Sequence, residues 1–355
     1  MHMPPPIHGA AVVGKQIHDS QLMRDTFDCS FVNYSTSGSL GEIGQFSVKK
    51  IVSVIQFIKS IRAKIQNEKP QLVYITPSLS GWAFYRDWLM VRIIKRQNCP
   101  VVAHFHNKPP LSFTRKWYNR LLYKSFFRGG HTIFLADCLA ETFKEYLQPQ
   151  LVHICPNGMP DNVQNTPSEH VHNPYSFLFL SNMMEEKGVI VLLQACALLK
   201  RKGCIFECNF IGQWSDITEC RFKALCEEYD IADIIHAYGG VYGRDKEKYF
   251  ADADAFVHPT KDDCFPLVLL EAMQYSLPII STPEGGIPDV IDDKVGFLVE
   301  QRNSHALADK MQYLIEHPGV GCEMGKKGRL KYEREFTLSV FERRFVDILI
   351  EVIGN

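Results

Sequence analysis

The sequence predicts an α/β fold made of two successive units, each with a parallel sheet whose strands are joined by crossover helices. Short β-rich runs alternate with helical stretches through nearly the whole chain. A polar segment, residues 161–174, interrupts this alternation near the middle, and 355 residues suffice for two ordinary hydrophobic cores. We therefore expect two doubly wound domains, with a cleft facing the carboxyl ends of both sets of strands.

The first half of the chain shows this alternation. After a proline-rich opening that runs through Gly9 and Ala10, the pattern predicts a helix to about Arg24. Isoleucines at helical spacing between residues 51 and 65 indicate one face of a longer helix. The predicted strands of this half are residues 29–34, 72–76, 101–105, 131–135 and 151–155.

The alternation restarts after the polar segment. The predicted strands are residues 176–180, 205–211, 234–238, 255–258, 278–281 and 296–299. Helices are predicted over residues 189–199, 222–229, 246–251 and 336–353.

Residues 263–271 form a loop that opens a helix, with a carboxylate at each end. Free backbone N–H groups at a helix N-terminus attract anions. A sugar nucleotide matches this pattern: its sugar hydroxyls would meet Asp263, its diphosphate the N–H groups, and its ribose Glu271, about two turns into the helix. On this stretch alone, the alternative is that Asp263 caps the helix and Glu271 is a solvated helix residue.

Composition limits the class of protein. No apolar run approaches the length of a membrane-spanning helix, and no signal peptide is apparent at the start. The eleven cysteines include no pair with zinc-ligand spacing. This favours an interpretation in which the cysteines are reduced and serve as packing residues of a cytoplasmic protein. The net charge of −1 hides an asymmetry, because residues 1–155 hold 19 Lys and Arg against 9 Asp and Glu.

The positive charge is concentrated in residues 81–131, with ten Lys and Arg and one acid, Asp87. Within this segment, residues 111–127 interleave four cations with six aromatic side chains. The pattern is typical of a face that contacts an anionic membrane surface or a lipid acceptor, and an ordinary solvated helix face remains open. Nucleic acid is not expected, because no DNA- or RNA-binding motif accompanies the charge.

An ordered set of short motifs resembles the retaining glycosyltransferases of family 4, which have the GT-B fold of two facing Rossmann-like domains. The matching residues are Asn157-Gly158, Glu186-Lys187-Gly188, Asp263 to Glu271 followed by Ala272-Met273, and Glu284-Gly285-Gly286-Ile287-Pro288. The resemblance implies transfer of a sugar from a UDP- or GDP-sugar to a glycan or lipid-linked saccharide, in surface polysaccharide synthesis. It also implies retention of configuration, with no cofactor and no metal.

The resemblance also implies which domain does what. Residues 161–336 would bind the donor, and residues 1–160 the acceptor. The last helix, about residues 337–355, would cross back to the first domain. A protein of this kind would be cytoplasmic, with peripheral contact to the inner face of the membrane as a further expectation.

Individual roles follow from the positions that match the family's motifs. Catalytic roles fall on Asp263 at the sugar hydroxyls, Lys187 at the diphosphate and His106 near the reacting sugar. Donor-binding roles fall on Gly9, Asn182, Lys187, Val241, Phe265, Leu267 and Glu271. Among these, Phe265 and Leu267 would offer backbone N–H groups, Val241 would pack against the base, and Glu271 would bind the ribose.

Two departures from the family pattern keep alternatives open. Asn182 stands where the family usually has an arginine that provides a second diphosphate cation, and Ala10 replaces a second glycine after Gly9. A nucleotide-sugar epimerase of the same fold and a catalytically weak nucleotide-sugar-binding domain therefore remain alternatives. Asp252-Ala253-Asp254 resembles a metal-binding motif, but it lies between a helix end and a strand, so a metal is not expected there.

The beginning of the chain carries one further expectation. In this architecture a central first strand leads into the glycine-containing loop, but only three residues precede three prolines, which cannot donate to a sheet ladder. We therefore expect the natural protein to start several residues upstream, with Met1 an internal methionine.

Overall fold

A computed structural model describes residues 3, 9–32, 48–162 and 171–354. The chain divides into two compact units. Unit 1 comprises Met1–Asn157 and Ser339–Asn355, and unit 2 comprises Gly158–Leu338. The division expected from the sequence was residues 1–160 with about 337–355, and residues 161–336.

Unit 1 is built on a sheet of parallel strands. In order across the sheet, its strands are β1 (Val73–Ile75), β2 (Val101–Phe105), β3 (His131–Phe134) and β4 (Val152–Ile154). The strand predicted over residues 29–34 is wrong for its described part, because residues 29–32 form no strand. A β-rich run needs a paired neighbour as well as local propensity. Residues 33 and 34, and most of the opening where a first strand was expected, lie outside the described residues.

Helices connect the strands of unit 1. They are α1 (Gly9–Asp19), α2 (Gln21–Thr26), α3 (Val48–Glu68), α4 (Gly81–Lys95), α5 (Leu111–Thr114), α6 (Trp117–Phe127) and α7 (Asp137–Glu141). The single helix predicted after Ala10 and up to about Arg24 begins at Gly9 and is divided at Ser20. The Ser20 hydroxyl accepts a hydrogen bond from the Met23 amide and so begins a new helix.

Unit 2 contains a larger parallel sheet. Its strands are β5 (Tyr175–Leu180), β6 (Phe206–Ile211), β7 (Ile235–Ala237), β8 (Ala255–His258), β9 (Ile279–Ser281) and β10 (Gly296–Leu298). Across the sheet they run β10-β9-β8-β5-β6-β7. The first strand of the unit, β5, therefore lies between β6 and β8, which is the order of a doubly wound nucleotide-binding sheet.

The helices of unit 2 cover this sheet. They are α8 (Val189–Arg201), α9 (Glu219–Glu228), α10 (Glu247–Ala251), α11 (Leu267–Gln274), α12 (Ile287–Val290), α13 (Ser304–Glu316) and α14 (Pro318–Glu335), with 3₁₀ turns at Glu185–Lys187 and Gly243–Lys246. Phe177, Phe179 and Phe210 are fully buried within the sheet. Central strands that are covered on both faces have nearly continuous apolar sequences, and β5 has such a sequence.

The last helix, α15 (Leu338–Gly354), belongs to unit 1. The ring of Phe345 on α15 meets the ring of Tyr74 on β1 edge to face, with 5.1 Å between centroids. No helix in the described part of the chain is both long and apolar enough to cross a bilayer.

Candidate functional site

The candidate site lies at the carboxyl ends of β5 and β8, where the strand order of unit 2 reverses. The loop after β5 leads through the 3₁₀ turn Glu185–Lys187, and the loop after β8 carries Asp263. In open α/β sheets, ligands bind outside the carboxyl ends of the strands at this reversal. The topology therefore places Lys187 and Asp263 where a ligand is expected.

These two loops are joined by backbone contacts. The Lys261 amide and the Thr260 hydroxyl both donate to the Glu186 carbonyl oxygen, at 2.9 and 3.2 Å. Gly188, at φ +85°, allows the close approach, because a Cβ there would lie 2.1 Å from the Pro259 carbonyl oxygen. A side chain at residue 188 would push the loops apart.

The Asp263 carboxylate is held from both sides. One oxygen, Oδ1, accepts from Lys187 Nζ at 2.7 Å, and the other, Oδ2, lies 2.9 Å from His258 Nε2. Lys187 Nζ also donates to the Asp262 carbonyl oxygen at 2.7 Å. Burial alone would raise the pKa of Asp263, but His258 and Lys187 outweigh it and hold the pKa well below its usual range. Asp263 is therefore ionised at neutral pH.

His258 was not identified from the sequence. It is 1% exposed at the end of β8, and its second nitrogen, Nδ1, finds no hydrogen-bond partner among the described residues. The rings of Phe179 and Phe256 lie nearly parallel to the imidazole ring, with centroids 6.3 and 6.2 Å away. A histidine ending an apolar strand just before a candidate acidic residue is the pattern that could have indicated this contact.

Helix α11 begins without a side-chain cap. Its N-cap is Pro266, and Leu267 is the first helical residue. The amides of a first helical turn have no partner inside the helix and carry its partial positive charge. The proposal that Asp263 only caps this helix is wrong, since its carboxylate bonds Lys187 and His258. Phe265 is buried, with its ring 6.1 Å from that of Phe336.

A glycine turn supports the loop before α11. The Gly286 amide donates to the Cys264 carbonyl oxygen at 2.7 Å. The neighbouring Gly285 has φ +52°, and a Cβ there would lie 2.3 Å from the Asp263 carbonyl oxygen. The Gly285-Gly286 pair thus fixes the backbone of the residue that carries the central carboxylate.

Glu271 lies one turn into α11 rather than two, because the helix begins at Leu267. It is 9% exposed, so the alternative of a solvated helix residue is wrong. Both of its carboxylate oxygens accept from Lys246 Nζ at 2.7 Å. Burial raises the pKa of Glu271, and the charge and hydrogen bond of Lys246 oppose that rise. Lys246 had no assigned role in the sequence interpretation.

The remaining predicted site residues are distributed as follows. Asn182 is exposed in the loop after β5, and Val241 is half-buried between β7 and the 3₁₀ turn Gly243–Lys246. Gly9 begins α1, and His106 follows β2, so both belong to unit 1. Unit 2 thus brings together Lys187, Asp263, Phe265, Leu267 and Glu271, and the functional roles of all these residues stay predictions.

His106 has a histidine neighbour. Its ring centroid lies 4.1 Å from that of His104, which is fully buried. His104 Nδ1 is 2.9 Å from the Tyr74 hydroxyl oxygen. Burial and the nearby His106 hold the pKa of His104 well below its usual value. His104 is therefore a neutral packing residue.

Asp254, of the acidic pair at residues 252 and 254, has a structural role. Its side chain accepts from the backbone amides of His172 and Ser176, at 3.0 and 2.7 Å, and so fixes the start of β5. Within the described ranges, no group of three or more His, Cys, Asp or Glu side chains is arranged to hold a metal ion.

Two family models match consecutive parts of the chain. The model described as Glycosyltransferase Family 4 matches residues 36–163, and Glycosyl transferases group 1 matches residues 162–331. Together the two models cover residues 36–331, and the chain belongs to the glycosyltransferases that they describe. The second match contains Lys187, Asp263 and Glu271, the polar residues around α11.

A curated relative of this chain is the putative colanic acid biosynthesis glycosyltransferase WcaL of Escherichia coli (strain K12). It is 28% identical over 186 residues, which are 50% of this chain and 45% of the relative. The matched part thus spans under half the length of the curated relative.

Solved structures match over more of the chain. Sucrose-phosphate synthase from Thermosynechococcus elongatus superposes with a TM-score of 0.74 at 15% identity, covering 98% of this chain and 94% of that one. Anabaena Alr3699/HepE, in complex with UDP, superposes with a TM-score of 0.70 at 16% identity, covering 87% and 85%. These matches and the two parallel sheets confirm the GT-B fold class.

The contacts of Asp263 predict a pH dependence of stability. Because its pKa is lowered in the folded protein, its ionised form contributes stability above about pH 4, and this contribution is lost as pH falls further. The free energy of unfolding of Asp263→Asn should therefore fall less than that of the wild type between neutral pH and about pH 3. Chemical denaturation at several pH values measures this. Asp262→Asn, at the exposed neighbouring carboxylate, is the matched control. Equal pH dependence of Asp263→Asn and wild type would contradict the assignment.

Proposed function

We propose that this glycosyltransferase transfers a sugar from a nucleotide diphosphate donor to a saccharide acceptor, with retention of anomeric configuration. The supporting observation is the polar row along α11 at the strand-order reversal of unit 2. The Lys187–Asp263 ion pair lies before the helix, the first amides of the helix lie at its start, and Glu271 lies one turn further on. A sugar, a diphosphate and a ribose follow each other in a nucleotide sugar in the same order.

Each group has a distinct task in this proposal. Lys187 and the first amides of α11 meet the diphosphate, since both present positive charge to an anion. Asp263 is ionised and accepts hydrogen bonds from hydroxyls of the transferred sugar. Glu271 accepts from the two ribose hydroxyls. Lys187 lies between Asp263 and the phosphate, so its charge serves both.

The reaction breaks the bond between the sugar C1 and the diphosphate oxygen and forms a bond from C1 to the acceptor oxygen. In the proposed mechanism the departing phosphate oxygen takes the acceptor proton on the same face, so no protein nucleophile is required. Preorganised charge at Lys187 and α11 stabilises the leaving diphosphate. The same charges replace a metal, and His106 of unit 1 is proposed to contact the reacting sugar.

The relatives support a choice of substrates. The HepE structure contains UDP, and the colanic acid relative is named for polysaccharide biosynthesis. We therefore propose a UDP-sugar donor, with a GDP-sugar as the next choice, and a glycan or lipid-linked saccharide acceptor in surface polysaccharide synthesis. A cytoplasmic location is proposed with it, because nucleotide sugars are made there.

The donor assignment predicts which variants lose nucleotide affinity. Lys187→Ala and Glu271→Ala should each weaken binding of UDP or GDP by roughly ten-fold or more in calorimetry, since each removes a charged hydrogen-bond partner. Lys202→Ala is the matched control. Lys202 follows α8, roughly 20 Å along the helix from Lys187, and pairs with Asp309.

A donor panel distinguishes the proposed transfer from the alternatives. Hydrolysis or transfer of UDP-glucose, UDP-N-acetylglucosamine or GDP-mannose supports transfer. Interconversion of UDP-glucose and its epimers without nucleotide release supports an epimerase. Binding without turnover supports a weak nucleotide-sugar-binding domain. Unchanged nucleotide affinity in both variants would contradict the site itself.

We also propose that a surface of unit 1 contacts an anionic membrane. Trp117 on α6 is 73% exposed and Trp82 on α4 is 64% exposed, and Leu121 and Leu111 are exposed as well. Exposed aromatic and aliphatic side chains among cations are typical of surfaces that enter the lipid headgroup region. Arg120 is less available, since it pairs with Glu145 at 3.1 Å. This surface is consistent with a lipid-linked acceptor.

Vesicle binding tests the membrane proposal. The protein should sediment with vesicles of phosphatidylcholine and phosphatidylglycerol at low salt and dissociate at high salt, because the attraction is screened. Lys116→Ala with Lys124→Ala should weaken binding on the order of ten-fold. The control pair Lys200→Ala with Lys202→Ala, in unit 2, should leave it unchanged. Equal sedimentation with neutral and anionic vesicles at both salt concentrations would contradict the membrane proposal. The surface would then be an ordinary solvated helix face.

A further inference from the structure

Lys246 and Glu271 form an ion pair, and Lys246 has no role in the proposed function. Lys246 ends the 3₁₀ turn Gly243–Lys246, and its Nζ lies 2.7 Å from each oxygen of the Glu271 carboxylate. Both side chains are largely buried. A Lys that bridges both oxygens fixes the orientation of the carboxylate as well as its charge.

The protonation state of Glu271 decides what it can bind. An ionised carboxylate offers about four lone-pair positions, whereas a protonated one turns one oxygen into a donor. Lys246 takes one position on each oxygen, which leaves one on each for a second partner. Two adjacent hydroxyls, such as the 2′ and 3′ hydroxyls of a ribose, match this remaining pair of acceptors.

Burial works against this ionised state. Removal from water favours the neutral acid, and the pKa of Glu271 is raised above its usual value in spite of Lys246. Without Lys246, the pKa would rise further. The interaction with Lys246 is therefore what opposes protonation of the carboxylate in this buried position.

We propose that Lys246 is a positioning residue for nucleotide recognition, which keeps Glu271 ionised and aligned to accept both hydroxyls of a ribose. This inference rests on the proposed function, because it needs the ribose to lie at Glu271. Lys246, by orienting Glu271, would then enable the protein to discriminate ribonucleotides from 2′-deoxyribonucleotides.

The other charged groups around Glu271 do not replace Lys246. In the part of the chain that the structure describes, Lys246 is the one cation within ion-pairing distance of the carboxylate. Burial, Glu247 and Glu271 together raise the pKa of Tyr275 to about 12, so Tyr275 is neutral. From α14, Arg329 donates to the Gln274 carbonyl oxygen near the other end of α11 and pairs with Asp161 and Glu333.

Loss of Lys246 therefore predicts a pH-dependent loss of affinity. In Lys246→Met, Glu271 should be partly protonated near neutral pH and should ionise as the pH rises. Nucleotide affinity of the variant should increase with pH more steeply than that of the wild type, in which ionisation of the nucleotide's terminal phosphate, with a pKa of about 6, is the common background. An ion pair that only stabilised the fold would give no such difference in pH profile.

Calorimetry with UDP, GDP and ADP, each beside its 2′-deoxy counterpart, tests this at about pH 6 and about pH 8. Lys246→Met should bind the preferred ribonucleotide roughly ten-fold more weakly than wild type at the lower pH and within about three-fold at the higher. Its preference for ribose over 2′-deoxyribose should fall. Lys246→Arg should retain both properties, and Lys248→Met, an exposed lysine two residues on, is the matched control.

A second background separates positioning from folding. In Glu271→Gln the pH dependence should be only that of the nucleotide's terminal phosphate, and adding Lys246→Met should change the affinity by less than about two-fold at either pH, since the titrating carboxylate is gone. Breaking a buried ion pair is destabilising. If a thermal melt shows that Lys246→Met is not folded at the temperature of the calorimetry, Lys246→Gln is used in its place.

The outcomes distinguish this inference from the proposed function. If wild type prefers the ribonucleotide and Glu271→Gln loses that preference, but Lys246→Met keeps the wild-type pH profile, the role of Lys246 is wrong and the ribose site stands. Tighter binding by Lys246→Met would also overturn it, since Lys246 would then compete with the ribose. If wild type binds none of the nucleotides, the proposed function fails and this inference with it.

Discussion

The carboxylate of Asp263 is the junction on which the candidate site of unit 2 depends. It joins the turn after β5, through Lys187, to the end of β8, through His258. A buried carboxylate with a single partner would tend to take up a proton, whereas two partners hold it ionised. The positions of the two loops, and hence of the first amides of α11, follow from this contact and from the close backbone approach at Gly188.

The two carboxylates along α11 illustrate how surroundings set chemical roles. Asp263 has two hydrogen-bond partners, one on each oxygen, and its pKa is lowered in spite of burial. Glu271 has Lys246 alone against deeper burial, and its pKa is raised. Asp263 is thus ionised under all physiological conditions, while Glu271 is the group whose charge depends on its neighbour. This difference in charge state suits Asp263 as an acceptor of sugar hydroxyls at one end of the proposed site and Glu271 as a nucleotide-recognition group at the other.

Much of the architecture could be predicted from the sequence, because apolar periodicity and turn residues are local properties. The alternation of β-rich and helical runs gave the strands of unit 2 to within one or two residues. The motifs at residues 186–188 and 263–271 assigned Lys187, Asp263 and Glu271 to one predicted donor site, and the structure brings Lys187 and Asp263 into contact. The strand expected at residues 29–34 failed in its described part, since strand formation depends on a pairing partner that local composition does not reveal.

The supporting residues could not be predicted for a related reason. His258 and Lys246 act through contacts set by tertiary packing, and neither stands in a recognised motif. The burial of Glu271 was likewise invisible, because a glutamate in a helix is most often solvated. Sequence patterns identified the groups proposed to touch the ligand, and the structure was needed to find the groups that hold them.

A crystal structure of the chain with its most tightly bound nucleoside diphosphate tests the central claim most directly. We predict diphosphate oxygens within hydrogen-bond distance of Lys187 Nζ and of the first amides of α11, and both ribose hydroxyls at the Glu271 carboxylate. A nucleotide bound elsewhere on unit 2, or with its ribose at Asp263 and its phosphates away from Lys187, would contradict it.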